Sequence, residues 1–536
     1  MNPQRTLLTA GLILALVLAA YSNSFKAAFQ LDDYHQIVNN YHIRNLTNLP
    51  RFFEDGRTGT GLRGVTGFRP ITIASFAVNY ALSGYRVWGY HALNLLLHAM
   101  NALLVFLVIN GILAGAGRKD AFAVSLLSSL LFAVHPVQTG AVTYISCRAA
   151  LLASLFTLSA FYGFIRYRAG GGMAWGASAP ALFMLGMLSK ETAVALIVLM
   201  AVYDLIMTVP RRGGLAASWR IWLYYAPFMA ALGVYFAWRK AATGDAIPAG
   251  GAGFGRAVYL VSEAKALPLY LRLLFLPVNQ NADYYLPATR HIDLGAALGM
   301  LLLALAAVFI YRGRKDRPEP AFFGAWFLLA LLPEASLVPV PDIAVLYRLY
   351  LPSAGIIAAT VLILSDALRN TAVKRGLAVL VIALFGVLTI GRNTVWATEY
   401  SLWSDVVHKS PRSDRASLNL GKALAEEGRY EDAQWEYMTA LAVDPAYPER
   451  YYIYANMGLS YFSQGKMDMA MYVLERVVKK YPGFIEAYTN LGEVYLAAGR
   501  YGQAVDILKK SAAADPANYR THLDLGQAYL KLGLYK

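Results

Sequence analysis

Long apolar runs separated by short polar stretches fill the first three quarters of the chain and then stop. They fall at 7–25, 90–114, 121–135, 142–165, 177–189, 192–209, 219–238, 293–311, 321–338, 350–367 and 376–391. Most approach the length a helix needs to cross a hydrocarbon layer. The first run follows Arg5 and has no small-residue cleavage site after it, so it is expected to stay as the first helix. Residues 412–536 contain no such run. The pattern predicts an all-α chain in three parts: a polytopic membrane bundle of about eleven transmembrane helices over 1–392, a linker at 393–414, and a separate helical domain at 415–536.

That last part carries a repeat. Gly421, Gly458, Gly492 and Gly526 are spaced 37, 34 and 34 residues apart, and Pro445, Pro482 and Pro516 each follow a glycine by 24. "LGKALAEEGRYEDAQWEYMTALAVDP", "MGLSYFSQGKMDMAMYVLERVVKKYP" and "LGEVYLAAGRYGQAVDILKKSAAADP" align column by column, and "LGQAYLKLGLYK" opens a fourth unit. This is the tetratricopeptide pattern of paired helices. Small residues at Ala433, Ala470 and Ala504 allow close helix approach, and the prolines end each second helix. Such arrays curve around a groove suited to a protein or peptide.

Composition sharpens the division. With 57% hydrophobic and 15% charged residues, the chain is too apolar for an ordinary soluble enzyme. Its net charge of +15 belongs to the first part, because residues 412–536 hold 15 basic and 15 acidic residues. Arg118 with Lys119, Arg166 with Arg168, Arg211 with Arg212, the run "YRGRKDRPEP", and Arg369 with Lys374 and Arg375 occupy every second loop. The positive-inside bias makes those loops cytoplasmic, with the N-terminus inside and everything after residue 392 outside. For a bacterial chain, as its compact length suggests, this is an inner-membrane protein whose outer face is periplasmic. No nucleic-acid motif is visible, and the single cysteine, Cys147, reads as a small packed residue.

Two outward loops are more than connections. "FRPITIASFAVNYALSG" in the first and "AKALPLYLRLLFLPVNQNADYYLP" in the loop from 239 to 292 are amphipathic segments suited to a membrane surface. Asp32 and Asp33, in "FQLDDYHQIVNN", stand just after the first apolar run on the same face. Asp33 with Gln36 fits a helix capping box, which accounts for one carboxylate. The functional reading is general-base catalysis: an acidic side chain at the bilayer edge takes the proton of an acceptor hydroxyl as it attacks an activated carbon. The activated donor natural to that place is a sugar on a polyprenyl phosphate. Arg69, Arg148 and Arg348 lie near the outer side and supply guanidinium forks for its phosphate. His91, Asn94 and His98 share one helix face and read as a polar seam between helices.

With "LDDYHQIVNN" and "FRPITIASFAVNYALSG", the stretches "GYHALNLLLH", "HPVQTGAVTYISCRAALLA", "LSKETA", "NADYY" and "YRLYLPSAG" follow in order. This set resembles the GT-C glycosyltransferases, and among them the transmembrane and tetratricopeptide repeat-containing O-mannosyltransferases. The resemblance covers nearly the whole chain. It implies Asp32 as catalytic base with Asp33 as its supporting carboxylate. It further implies that Arg69, His135, Arg148, Lys190, Glu191, Asp283 and Arg348 line the donor phosphate and sugar pocket. Gly140, Ala150 and Leu346 stand where such relatives often carry acidic residues.

The expectation is therefore an inverting, metal-independent membrane glycosyltransferase without a cofactor. It moves a monosaccharide from a polyprenyl-phosphate donor to Ser or Thr of an exported protein held in the repeat groove. Two competitors remain at this point: a transferase for a glycolipid or polysaccharide, which has little use for protein-binding repeats, and a non-catalytic assembly scaffold, which does not require the aspartate pair.

Overall fold

The computed structural model describes residues 3–62, 65–210, 220–247, 253–337, 339–443, 450–516 and 518–534. Among them all regular elements are helical, and the chain divides into two compact units, Met1–Thr398 and Glu399–Lys536. Arg211, Arg212 and Pro445 lie outside the described residues.

In the first unit the expected apolar runs are largely helical among the described residues. Their ends are written in local chemistry: Asp293 caps Leu294–Asp316 by accepting from the Ala296 N–H at 2.9 Å, and Asn370 caps Thr371–Val395 through the Ala372 and Val373 N–H groups. The count of spans differs from the expected eleven. Among the described residues eight helices are long and apolar enough to cross a membrane, and a ninth results if Ala121–Val134 and Pro136–Val142 form one span bent by 50°. The bend falls at Pro136, which has no N–H to continue the ladder. Met173–Ser189, with 17 residues, and Pro318–Leu332, with 15, are shorter. Some apolar runs thus form helices shorter than a full crossing on length and composition alone, and the unit is that of a multi-pass membrane protein.

Polar residues inside this bundle are consumed by packing. His91 bonds the Ala27 carbonyl at 3.0 Å, Asn94 donates to the Val142 carbonyl at 3.2 Å, and His98 reaches both the Ala133 carbonyl and the Tyr350 hydroxyl. The expected seam between helices is present. The two segments expected at a membrane surface form the helices Pro70–Ser83 and Arg256–Phe275. The helix Leu346–Ala367 starts beside Arg348 and ends at Asp366, which Arg118 grips at 2.6 Å. A helix of that length rises about 30 Å, so Arg348 and the Arg118 cluster mark opposite ends of the bundle.

The second unit contains the helix pairs Asp414–Glu426 with Tyr430–Val443, Arg450–Ser463 with Met467–Lys480, and Ile485–Ala497 with Tyr501–Ala514, then Tyr519–Lys531. Ala433, Ala470 and Ala504 are fully buried where the paired helices meet. Gly458 has no side chain because a Cβ there would come within 2.7 Å of the Leu474 Cγ on the paired helix. The segment 393–414, expected as a linker, is largely helical: Thr371–Val395 runs into it, and Glu399–Lys409 buries Leu402, Trp403 and Val406 on one face within the second unit. Its polar letters hid a narrow apolar stripe at helical spacing.

Gly355 marks a close backbone approach in the membrane unit that a single substitution tests. A Cβ there would sit 2.7 Å from the Phe323 carbonyl oxygen and 2.9 Å from the Phe327 nitrogen on Pro318–Leu332. Gly355→Val should lower the thermal midpoint of the detergent-solubilised chain by an amount equivalent to about 1–3 kcal/mol. Fluorescence-monitored melting checks this, and an unchanged midpoint would refute the close packing.

Candidate active site

The aspartate pair is divided by a turn. Leu31 adopts a left-handed backbone conformation, φ 51°, which is uncommon for a branched side chain and redirects the chain directly before the pair. Asp33 points inward and is 1% exposed. Its Oδ1 accepts from the Ser146 N–H at 2.7 Å and the Ser146 hydroxyl at 2.5 Å, and its Oδ2 accepts from the Gln30 N–H at 2.9 Å. The expected capping box is absent: Asp33 stands at the N-cap of Tyr34–Val38 but its side chain caps nothing. Asp32 points the other way, its side chain 57% exposed, into a cavity of about 720 Å³. His35 Nε2 lies 3.1 Å from Asp32 Oδ1, and the Asp32 N–H donates to the Tyr144 hydroxyl at 2.9 Å.

The two carboxyls titrate in opposite directions. Burial opposes ionisation of Asp32, but the hydrogen bond and charge of His35, the Tyr144 hydroxyl and the charge of Arg69 together outweigh it and hold its pKa below the usual aspartate value. Burial dominates at Asp33 and, despite its donors, pushes it up to about 7. Asp32 is thus an ionised, accessible proton acceptor at neutral pH. Asp33 is the clamp that places it.

The cavity wall is built of paired charges. Arg69, just before the helix Pro70–Ser83, lies 3.3 Å from Glu191 Oε2, and Arg239, near the end of Ala226–Thr243, lies 3.2 Å from Glu191 Oε1. Lys190, in extended backbone between Met173–Ser189 and Glu191–Val194, pairs with Glu334 and lies over the Tyr347 ring at 4.9 Å. Arg348 bonds Glu263 at 2.8 Å, the Ile343 carbonyl at 2.8 Å and the Asp342 carbonyl at 2.5 Å, with Glu334 3.9 Å away. Burial, partly offset by Arg348, pushes Glu263 up to about 7. Arg256, exposed, completes the basic part of the lining. Among the described residues no group of three or more His, Cys, Asp or Glu could hold a metal ion.

Of the residues expected at a donor pocket, Asp32, Arg69, Lys190, Glu191 and Arg348 line this cavity together, and four do not. Asp33 is turned away as described. His135 is fully buried, with Nε2 on the Leu274 carbonyl at 2.9 Å and Nδ1 accepting the Val137 N–H at 3.1 Å; it caps the turn at the helix break. Arg148 is fully buried, bonded to Asn94 Oδ1 at 2.7 Å, the Tyr90 carbonyl at 3.1 Å and Ser75, with the Phe76 ring 4.7 Å away. Its guanidinium ties helices together. Asp283 lies in the loop after Arg256–Phe275, where its N–H donates to Asn281 Oδ1 at 3.3 Å. Sequence reading missed His35, Arg239, Glu263 and Glu334. Glu334 alone carried a signal, a carboxylate within the apolar run 321–338.

Two departures from the related pattern form one contact. A Cβ on Gly140 would sit 2.9 Å from the Leu346 Cβ, and both residues are buried. The small residue makes room for the leucine. Ala150 lines the cavity.

Asp33 yields a stability prediction. Its folded pKa, about 7, lies above its ordinary value of 3.8, so the native state holds this proton more tightly than the unfolded chain. Its stabilising contribution is complete below 3.8, declines as pH rises, and is gone above about 7. Glu263 adds a term of the same sign. The detergent-solubilised chain should melt lower at pH 8 than at pH 5, and Asp33→Asn should weaken that dependence. Equal pH slopes for the two proteins would contradict the inward carboxyl.

Residues 401–448 and 418–484 match one tetratricopeptide repeat family model, and 461–513 and 495–536 match another. Protein O-mannosyl-transferase F38B6.6 of Caenorhabditis elegans is 28% identical over 449 residues, covering 82% of this chain and 63% of the relative. Protein O-mannosyl-transferase TMTC4 of Mus musculus is 28% identical over 473 residues, covering 77% of this chain and 63% of the relative. The crystal structure of ArnT from Cupriavidus metallidurans bound to undecaprenyl phosphate superposes with a TM-score of 0.38 at 15% identity, covering 90% of this chain and 81% of that one. The chain spans just under two thirds of the length of these two curated relatives. In sequence, and with tetratricopeptide repeats at its C-terminal end, the chain resembles the transmembrane and tetratricopeptide repeat-containing protein O-mannosyl-transferases.

Proposed function

We propose that this protein is a membrane glycosyltransferase that moves a monosaccharide from a polyprenyl-phosphate donor to a Ser or Thr hydroxyl of an exported protein. The observation that carries the reading is Asp32: an ionised, accessible carboxylate on the wall of the cavity lined by Arg69, Lys190, Arg239 and Arg348. The names of the related proteins supply the reaction class, protein O-mannosyl transfer.

In this reaction the acceptor hydroxyl oxygen attacks the anomeric carbon while the bond from that carbon to the phosphate oxygen breaks. Asp32 takes the hydroxyl proton, and polyprenyl phosphate leaves carrying the bonding electron pair. The cationic wall stabilises the charge growing on the phosphate. One displacement without an enzyme nucleophile inverts the anomeric centre. Carboxylates and guanidinium groups suffice for this, so the transfer is metal-independent and needs no cofactor. The cavity opens on the periplasmic side, the N-terminus is cytoplasmic, and the repeat groove presents the acceptor.

Intact masses of secreted and envelope proteins, compared among cells carrying the wild type, a deletion and Asp32→Asn, test the proposal. A discrete sugar mass should disappear in the deletion and fall by about 10²–10⁴-fold in Asp32→Asn, the range general-base catalysis supplies. Retained transfer in Asp32→Asn would sink the base assignment. Protein masses unchanged by the deletion would move the acceptor to a lipid or glycan, or make the protein a scaffold.

A further inference from the structure

His35 takes no part in the proton transfer, yet its ring stands within hydrogen-bond reach of the Asp32 carboxylate. It sits in the π-helical turn Tyr34–Val38, three residues after Asp32, with Nε2 3.1 Å from Oδ1. Its other ring nitrogen, Nδ1, lies 2.9 Å from the Thr60 hydroxyl. Thr60 comes from the far end of the same loop, and the next residue fastens the two together: the Gly61 N–H donates to the His35 carbonyl at 2.6 Å.

The ionised Asp32 carboxylate can only accept, so His35 Nε2, 3.1 Å from it, carries the hydrogen. The Thr60 oxygen accepts the Leu62 N–H at 3.1 Å and has its own hydrogen to donate. The nearer acceptor is His35 Nδ1 at 2.9 Å; the His35 carbonyl is 3.5 Å away. With Nδ1 accepting, a neutral imidazole carries its hydrogen on Nε2, facing Asp32. Both ring nitrogens are then engaged, so His35 is not itself the base. Asp32 has one lone pair of Oδ1 tied to the ring and also takes the Tyr144 hydroxyl, and the lone pairs that remain receive an incoming hydroxyl.

We propose that His35 is the positioning residue for Asp32: Thr60 holds it in the Nε2–H tautomer, and from there it aims the carboxylate into the cavity and keeps it ionised. The proposal rests on the reading of Asp32 as the base. Its logic is that of a catalytic pair with a third group orienting the second. Here the carboxylate is the base and the imidazole orients it. Other groups face Asp32 as well: buried Asp33 beside it, Tyr144 and Cys147 from the turn before Arg148–Arg168, and Arg69 across the cavity. All of these groups are still present in His35→Ala and Thr60→Val, so a change in Asp32 titration common to both variants reports the imidazole.

Two measurements on the full chain in detergent test this. In pH-difference infrared spectroscopy the carboxyl band missing from Asp32→Asn reports the titration of Asp32. That band should move up by about one pH unit in His35→Ala and less, in the same direction, in Thr60→Val. His35→Gln, whose amide can still donate, should restore most of the wild-type position. In transfer assays with mannosyl-phosphopolyprenol and an extract of exported proteins from deletion cells, the acid limb of kcat/KM should shift in parallel. At a pH on that limb His35→Ala should lose about 10-fold.

An unmoved band and acid limb in both His35→Ala and Thr60→Val, with Asp32→Asn inactive, would overturn the role of His35 and leave Asp32 as base. Full transfer by Asp32→Asn would overturn the base reading and the catalytic meaning of His35 with it. The infrared titration then still decides whether the imidazole acts on that carboxylate.

Discussion

The buried carboxylate of Asp33 is the interaction on which the site depends. Three hydrogen bonds to an ionisable oxygen pair, two of them from Ser146, pin the first loop to the turn that starts the helix Arg148–Arg168. The donors meet part of the cost of burying a group that water would otherwise solvate, and the proton that Asp33 retains up to about pH 7 meets the rest. With Asp33 fixed inward and Leu31 turned to the left-handed region, the neighbouring carboxylate has one direction left, toward the cavity. Two adjacent identical residues thus acquire opposite protonation behaviour from one backbone turn.

The charged wall obeys the same constraint. Arg69 and Arg239 share Glu191, Lys190 takes Glu334, and Arg348 takes Glu263, so four cations stand against three carboxylates. Pairing makes each charge tolerable in a poorly hydrated place, and removing one partner of such a set costs about 3–5 kcal/mol. The uncompensated positive charge of the set, with exposed Arg256 on the same wall, is what an anionic group entering the cavity would meet. Arg348 is already held by three acceptors, so its contribution is a fixed field more than a movable ligand.

Much of this was legible in the sequence, in proportion to how local each signal is. The helices, the repeat and the interfacial segments follow from periodicity within some tens of residues. The Asp pair stood out because carboxylates at a membrane edge require a reason. Which carboxylate faces the cavity was not legible, because it depends on a φ angle at Leu31 and on Ser146, more than a hundred residues away. Arg69 and Glu191 are 122 positions apart, and Arg348 and Glu263 are 85 apart; no local pattern announces either pair. His135 and Arg148 misled for the converse reason. Motif position marks a polar residue as noteworthy, but a helix break and a seam between helices demand polar residues as strongly as a ligand does.

Gly140 and Leu346 show how a site can depart from a related pattern without damage to the fold. The two positions touch, and a Cβ on Gly140 would press on the leucine. A carboxylate at either position would be buried, where an unpaired ion is costly. With glycine opposite leucine, the contact closes as ordinary apolar packing: a side chain at 140 collides with Leu346, and a smaller residue at 346 leaves a void beside Gly140. The two departures therefore share one buried contact. Neither is on the cavity wall, whose charge stays with Asp32, Lys190, Glu191, Glu334 and the arginines.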